Sequence, residues 1–563
     1  MYEMNGARAI IGLLERQGID TIAGIPGGAN LPLYDALCDS RSIRHVLCRH
    51  EQGAGFLAQG IARSTGKAAV CFATSGPGAT NILTAIADAY LDSIPLVCIT
   101  GQVPTSLIGT DAFQEVDIYG LSIPITKHNY LVRSAEDLLR IVPEAFSLAL
   151  SGRPGPVLID VPKDVQTAII RFARWPEPGC RREVPAADGE AIAQAARLID
   201  AAERPILCLG GGVIHGGASD LARELAEKCS LPTTMTLMGL GAMPADHPLA
   251  LSMLGMHAAR STNMALQECD LFIAAGARFD DRATGKLVEF CPGAGIVHMD
   301  IDPSEVSKLK TATVGLVGDV RHTLAALLPL VRRGSRGTWR QTTAMLRRMY
   351  PMTLPEATVP ERPYGLILKV AELLDEEAVV VTDVGKHQMW TAQVYPFSRP
   401  RQLLTSGGLG TMGFGLPTAI GAALAMPGRP VVLFTGDGSL QMNLQELATA
   451  VEQRANVKIL VMNNRSLGLV RQQQRLFYNE RHIACDFQLD VDFCTIARGY
   501  GIPSFNAPAG CDLDSLLRQV FAIPGPCLVN VHVGREEEVY PMVPPGAANS
   551  EMLGGFYAER CPC

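Results

Sequence analysis

The chain has little charge, few aromatic residues and no long apolar run. Only 19% of its 563 residues are charged, the formal net charge is −7, and no basic block occurs. That argues against nucleic acid or an anionic membrane as a main partner. No apolar stretch reaches the roughly 18–20 residues that a membrane span needs. The opening Met1-Tyr2-Glu3-Met4 is acidic where a secretory signal would be positive. Zinc-spaced CxxC pairs are also absent. The 15 cysteines are scattered singly, as Cys38, Cys48, Cys71 and Cys98 show, mostly within apolar runs, and Cys561-Pro562-Cys563 stands at the end. Free buried thiols in a reducing cytosol are therefore expected, not disulfides, and the chain reads as soluble and cytoplasmic. Apolar residues make up 47%, which predicts a large core and excludes extensive disorder.

The length suggests about three domains. Short apolar runs alternate with amphipathic stretches, the pattern of an α/β protein. Runs at 69–73, 95–100 and 157–161 fall in a first domain, 1–170. Runs at 205–209, 271–275 and 295–301 fall in a second, 189–332. Runs at 378–382, 430–435, 457–462 and 526–533 fall in a third, 364–545, followed by a tail, 546–563. Polar or Pro-bearing stretches at 171–188 and 333–363 read as linkers. The predicted fold class is α/β, with three doubly wound parallel-sheet domains. No close internal repeat is visible, although domains one and three have comparable length and layout.

The third domain carries the most pointed motif. The run 430–435 ends in Gly436-Asp437-Gly438-Ser439, a helix is predicted over 440–452, and the next strand ends at Asn463-Asn464. Asp437 and Asn464 thus leave the C-terminal ends of two strands of one β-α-β unit, where open α/β sheets bind ligands. Mg²⁺ takes six oxygens, commonly one or two from side chains and the rest from phosphate and water. Asp437, the Asn464 amide and a backbone carbonyl near Ser466 are a plausible protein half, which a diphosphate would complete. Either piece alone reads as readily as a strand-end Asp capping a helix or an Asn-Asn turn. In the first domain His50-Glu51 ends a strand-like segment before Gln52-Gly53-Ala54-Gly55. Glu51 suits a carboxyl that assists proton loss from thiamine. In isolation it suits equally an acid stabilising a helix N-terminus.

Longer stretches narrow this. Ile25-Pro26-Gly27-Gly28, Arg49-His50-Glu51-Gln52-Gly53-Ala54-Gly55, Thr74-Ser75-Gly76-Pro77-Gly78-Ala79-Thr80-Asn81 and Gly109-Thr110-Asp111-Ala112-Phe113-Gln114-Glu115 resemble the first domain of the acetohydroxyacid synthase (acetolactate synthase) family. The resemblance runs from about Gly6 to Asn549. It implies the thiamine-diphosphate enzyme fold, with thiamine diphosphate, Mg²⁺ and FAD as cofactors. The implied reaction is decarboxylation of pyruvate, then condensation of the enamine with a second pyruvate or with 2-oxobutyrate. This is the first common step of valine, leucine and isoleucine biosynthesis. By this likeness Glu51 activates the cofactor, Gly28 lies beside the reacting carbon, Gln114 faces the intermediate and Asn81 lies near the pyrimidine. Val384, Gly385, Lys386 and His387, with Gly436, Gly438, Ser439, Leu467, Gly468 and Leu469, would hold the cofactor's diphosphate end. Met412, in the Gly-rich 405–417 stretch, would bend the cofactor. Asp437, Asn464 and Ser466 would hold the metal. The family usually has Gln where this chain has Lys386, which can still contact phosphate as a point charge.

Lys163 and Arg153 match basic positions for substrate and flavin binding. The remaining implied FAD contacts are Gly210, Gly211, Gly212, Thr236, Leu237, Leu254, Gly255, Met256, His257, Gly276, Ala277, Arg278, Asp280, Arg282, Asp300, Ile301, Asp319 and Val320. In the family the Pro/Gly-rich segment 540–549 folds over the active site as a lid. Active sites lie between two subunits, so a homodimer or tetramer is implied, with a small regulatory subunit as partner. One departure concerns the acceptor. Many members carry Trp where this chain has Gln473, a pattern that resembles the enterobacterial-type isozyme I subset and implies weak acceptor selectivity and poor herbicide inhibition. A FAD- and thiamine-dependent pyruvate oxidase is the competing reading. Glyoxylate carboligase lacks the activating Glu that is present here, and a silent paralogue would not need Glu51, Asp437 and Asn464 together.

Overall fold

Strands covered on both faces read as continuous apolar runs, and three sheets are built from such runs. The computed structural model describes residues 1–352 and 354–554, so Cys561-Pro562-Cys563 and part of the expected tail lie outside the described residues. The first unit contains β1 (Tyr2–Asn5), β2 (Thr21–Gly24), β3 (Arg44–Leu47), β4 (Ala69–Ala73), β5 (Leu96–Gln102), β6 (His128–Leu131), β7 (Val157–Pro162) and β8 (Ile169–Phe172). Six of these form a parallel sheet in the order β3-β2-β4-β5-β7-β6. The other two, β1 and β8, pair antiparallel, a small ribbon outside the expected parallel pattern. Tyr2 stacks on Phe172 across it, with ring centroids 5.2 Å apart.

The second unit contains β9 (Pro205–Leu209), β10 (Thr233–Met235), β11 (Ala250–Met253), β12 (Leu271–Ala275), β13 (Gly295–Asp300) and β14 (Val314–Val317), parallel in the order β11-β10-β9-β12-β13-β14. Counted from its own first strand this is 3-2-1-4-5-6, the order of dinucleotide-binding sheets. The third unit contains β15 (Val379–Thr382), β16 (Leu403–Leu404), β17 (Val431–Gly436), β18 (Val457–Asn463), β19 (Ser504–Ala507) and β20 (Cys527–His532), parallel in the order β16-β15-β17-β18-β20-β19. This order repeats that of the first sheet strand for strand. Each sheet therefore has one switch point, where neighbouring strands send their connections in opposite directions: β2/β4, β9/β12 and β15/β17.

The first and third units meet through two crossed helices, Glu51–Thr65 and Gly415–Ala425. A Cβ on Gly60 would lie 2.2 Å from the Thr418 carbonyl, and one on Gly421 would lie 2.0 Å from that of Leu57. Only glycine permits this backbone approach. Beside the crossing, buried Arg63 donates to Asp88 at 3.0 Å, Asp92 at 2.8 Å and the Thr405 carbonyl at 2.9 Å. Asp92 in turn accepts the N–H groups of Gly407 and Gly408, and Ser406 donates to Asp88. These bonds anchor the Gly-rich loop of Met412 to the first unit. No helix among the described residues is long and apolar enough to cross a membrane. The cysteines among them are free; Cys38 and Cys180 are exposed and the others are buried or half-buried.

Candidate active site

Two clusters stand at two of the switch points. At β2/β4 the chain leaves β2 into Gly27-Gly28 and leaves β4 into Thr74-Ser75-Gly76. Glu51 opens the helix after β3 and is buried, and Asn81 donates to its Oε2 at 3.0 Å. A Cβ on Gly78 would lie 3.2 Å from its other oxygen. An ideal Cβ on Gly28 would meet nothing within 4 Å, so the glycine leaves open space there. Gln114 is half-buried, with a left-handed φ of 59°, against Gly76, where a Cβ would lie 2.9 Å from the Gln114 Cα. Glu115 shapes this loop by accepting the N–H groups of Gly109, Thr110 and Ala112. Lys163 stands half-buried at the end of β7.

At β15/β17 a buried Asp383 accepts from the N–H groups of Val384 and Gly413 at 2.9 Å and of Gly415 at 3.2 Å. It thereby ties the 384–387 turn to the Met412 loop, and burial pushes its carboxyl up to about 6. Ser439 donates to the Val384 carbonyl at 2.8 Å. His387 lies against Gly436, 3.1 Å from an ideal Cβ there. Burial drives its pKa down to about 3, so the ring is neutral, and its Nε2 is buried without a partner. Asp437 is buried, which raises its pKa to about 6, against the pull of nearby N–H groups that include those of Gly438, Asn464 and Ser466. Asn464 Oδ1 accepts from the Ser466 N–H at 3.0 Å and from its hydroxyl at 3.2 Å. Gly468 packs against both the Asn464 amide and the Lys386 chain, at 2.7 and 2.9 Å from an ideal Cβ. Leu467 and Phe487 close over Gly438 in the same way, at 2.9 and 3.2 Å. The Lys386 amine donates to the Glu537 carbonyl, so it also holds the segment after β20. Met412 is half-buried in its loop, where Asn443 fixes the Gly413 carbonyl at 2.8 Å.

A cavity of about 740 Å³ opens at the third switch point, β9/β12. It is lined by Gly211, Gly212, Thr236, Leu237, Leu254, Met256, His257, Gly276, Ala277, Arg278, Asp280, Arg282, Asp300, Ile301, Asp319, Val320 and Arg153, and it extends to Val384, Leu469 and Gln473. Gly210 and Gly255 stand behind this lining, packed on the backbone of Gly276 and Arg282. The cavity also collects residues that sequence reasoning passed over. Arg181, in the segment read as a linker, pairs with Asp319 at 2.7 Å. Ser93, His215, Met238 and the turn 406–410 also line it. Only the pairing of Arg181 with Arg182 in an otherwise Pro-rich stretch hinted at a role. Residues 540–549, the expected lid, are held by both the third and the central unit: the Tyr540 carbonyl accepts from Tyr364 at 3.3 Å and from Gln393 at 3.2 Å. Val543 N–H donates to Met256 and Asn549 to Ala283, both at 2.9 Å, while Met542 reaches the cavity.

Among the described residues no hydrogen bond or ion pair joins Glu51, Asn81 or Gln114 to Asp437 or Asn464. The two clusters thus stand at separate switch points of the chain, β2/β4 and β15/β17.

The comparisons agree with this division. Models for thiamine pyrophosphate enzymes match residues 4–121 (N-terminal TPP binding domain), 192–327 (central domain) and 383–531 (C-terminal TPP binding domain). The acetolactate synthase isozyme 1 large subunit of Escherichia coli K12 is 58% identical over 549 residues, 98% of this chain and 97% of that protein. Isozyme 2 of the same organism is 48% identical over 551 residues, 98% and 99% of the two chains. The large subunit from Mycobacterium tuberculosis (strain CDC 1551 / Oshkosh) is 46% identical over 570 residues, 98% and 92%. The chain belongs to the acetolactate synthase large-subunit family of thiamine pyrophosphate enzymes.

Proposed function

We propose that this chain catalyses the thiamine-diphosphate-dependent synthesis of 2-acetolactate from two pyruvate molecules, and of 2-aceto-2-hydroxybutyrate when 2-oxobutyrate is the acceptor. The observation that carries the reading is the pairing of a buried, Asn81-held Glu51 at one switch point with the Asp437–Asn464 turn at another. Bound thiamine diphosphate supplies a nucleophilic carbon and an electron sink. The residues fit that group. His387 Nε2 is an orphaned donor or acceptor at the diphosphate end, and Gly28 leaves room that a side chain would fill.

Glu51 holds or shares a proton at the cofactor's pyrimidine ring, and its burial strengthens that hydrogen bond by excluding water. Asn81 orients the carboxyl. Val384, Gly385, Lys386, His387, Gly436, Gly438, Ser439, Leu467, Gly468 and Leu469 would hold the diphosphate end, and Met412 would bear on the middle of the cofactor. A Mg²⁺ held by Asp437, the Asn464 side chain and the Ser466 carbonyl would complete its shell on phosphate oxygens and water, as Mg²⁺ commonly does. The set has a single carboxylate, and among the described residues no cluster of three or more His, Cys, Asp or Glu forms a metal site. The central cavity fits a dinucleotide. Its volume falls in the ~300–1,000 Å³ range of cofactor sites, and it lies at the switch of a 3-2-1-4-5-6 sheet. FAD is the dinucleotide that the family likeness indicates. Gln114, Gly28 and Lys163 bound the substrate side. A small regulatory subunit is the expected partner, since the relatives are large subunits.

The deciding measurement is product analysis from pyruvate with and without 2-oxobutyrate, with thiamine diphosphate, Mg²⁺ and FAD each omitted in turn. Acetolactate that depends on the first two supports the reading. Acetate and peroxide instead would make the chain a pyruvate oxidase.

A further inference from the structure

Glu446 is a completely buried acid to which the chemistry above gives no part. It opens the helix Glu446–Glu452 in the third unit, yet its partners belong to the first. Its Oε1 accepts the backbone N–H of Arg49 at 2.9 Å and of His50 at 3.1 Å, and its Oε2 accepts the Thr449 hydroxyl at 2.5 Å. Arg49 pairs further with Glu452 on the same helix. The two peptide groups lie beyond the end of β3 and before the helix that Glu51 begins. In such a position backbone N–H groups have no partner in their own element.

Three features argue that the contact is specific. A buried acid without an ionic partner is unfavourable unless hydrogen bonds satisfy it, and here two peptide donors and a hydroxyl do so. The approach is close: a Cβ on Gly53 would lie 2.4 Å from Glu446 Oε1, so glycine at 53 leaves the carboxylate its place. His50, the second clamped residue, caps the helix by accepting the Gln52 N–H at 3.1 Å. The clamp thus fixes the turn that aims the next side chain, Glu51.

We infer that Glu446 is a positioning residue for Glu51, fixing from the third unit the two peptide groups that set the direction of the Glu51 carboxyl. The inference rests on the role proposed for Glu51. E446A, E446Q, G53A and E51Q, each in the full-length chain, test it with three readouts. These are amide hydrogen exchange across residues 45–53 of the cofactor-free protein, affinity for thiamine diphosphate, and kcat and KM for pyruvate. In E446A and G53A the 45–53 amides are expected to exchange faster. Their kcat should fall by about tenfold to a hundredfold, the usual consequence of a misplaced catalytic group, with pyruvate KM and cofactor affinity within about twofold of the parent. E446Q keeps an oxygen for both N–H groups and should recover most of the loss. Parent-like exchange or kcat in E446A, or E446Q as impaired as E446A, would overturn the inference. If E446A does not fold, G53A decides in the same way. E51Q that keeps turnover defeats the Glu51 reading itself; E51Q that loses turnover beside an unaffected E446A defeats only the clamp.

Discussion

In the proposed reaction Glu51 serves the cofactor and Gln473 the acceptor, so their substitutions should separate. Glu51→Gln removes the ionisable group but keeps an oxygen for Asn81. It should lower turnover by roughly a hundredfold or more, the usual worth of a positioned acid or base, while Tm and cofactor affinity stay close to the parent in thermal melts and titrations. Gln473 is exposed on the cavity wall and offers no apolar surface to an extra methylene. The chain should therefore use pyruvate and 2-oxobutyrate as acceptors with little discrimination. Gln473→Trp would bury that methylene, worth about 0.8 kcal/mol or roughly fourfold in favour of 2-oxobutyrate. Competition between the two acceptors measures it, and an unchanged product ratio would remove Gln473 from the acceptor site. The places of Glu51 and Asp437 at helix starts and of Asn464 at a strand end were legible in the sequence because a strand end, a turn and a polar residue are adjacent there. Glu446, Arg181 and Asp383 were not. Each owes its place to peptide groups or charges that only packing brings near, and the sequence around each is ordinary helix, linker or strand end.

At the level of elements, the loop 405–413 depends on a buried charge cluster. Asp88 and Asp92 share one cation, Arg63, and burial, with the nearby Asp92 carboxylate second, raises Asp88 to about 6. An unfolded Asp titrates near 3.9. Between about pH 4 and pH 6 the folded chain therefore binds a proton that the unfolded chain does not, and the contribution of Asp88 to stability rises as pH falls through that window. Above pH 6 the cost of its buried charge stands in full. Asp88→Asn should remove this dependence. The Tm of the variant relative to the parent should be lower at pH 5 than at pH 7, and an equal offset at both would refute the assignment. The elements themselves were legible where strands are buried on both faces: the runs at 69–73, 205–209 and 271–275 coincide with β4, β9 and β12. The β1–β8 ribbon and the two-residue β16 escaped because short edge strands carry no sustained apolar signal. The tail's docking on Met256 and Ala283 escaped because a Pro/Gly-rich segment does not encode its partner.

For the whole molecule, the repeated strand order of the first and third sheets gives two like platforms, one bearing Glu51 and the other Asp437. Within the chain these platforms meet through helices and the Glu446 clamp, and among the described residues no hydrogen bond or ion pair joins the two clusters. The family likeness implies a symmetric pair of copies with Glu51 of one against Asp437 of the other; every dimer would then hold two sites, each built from both chains. Glu51→Gln and Asp437→Asn would each inactivate both sites of their own homodimer. In a mixed dimer one site receives both lesions and the other receives neither. Co-expression of the two variants with different tags should therefore restore activity, to about a quarter of the parent level for statistical mixing of a symmetric dimer. The tandem-purified heterodimer should account for all of that activity, at about half the parent rate per dimer. If Glu51 and Asp437 served one site within a single chain, each copy would carry one lesion in its own site, and the mixture would remain as inactive as its components.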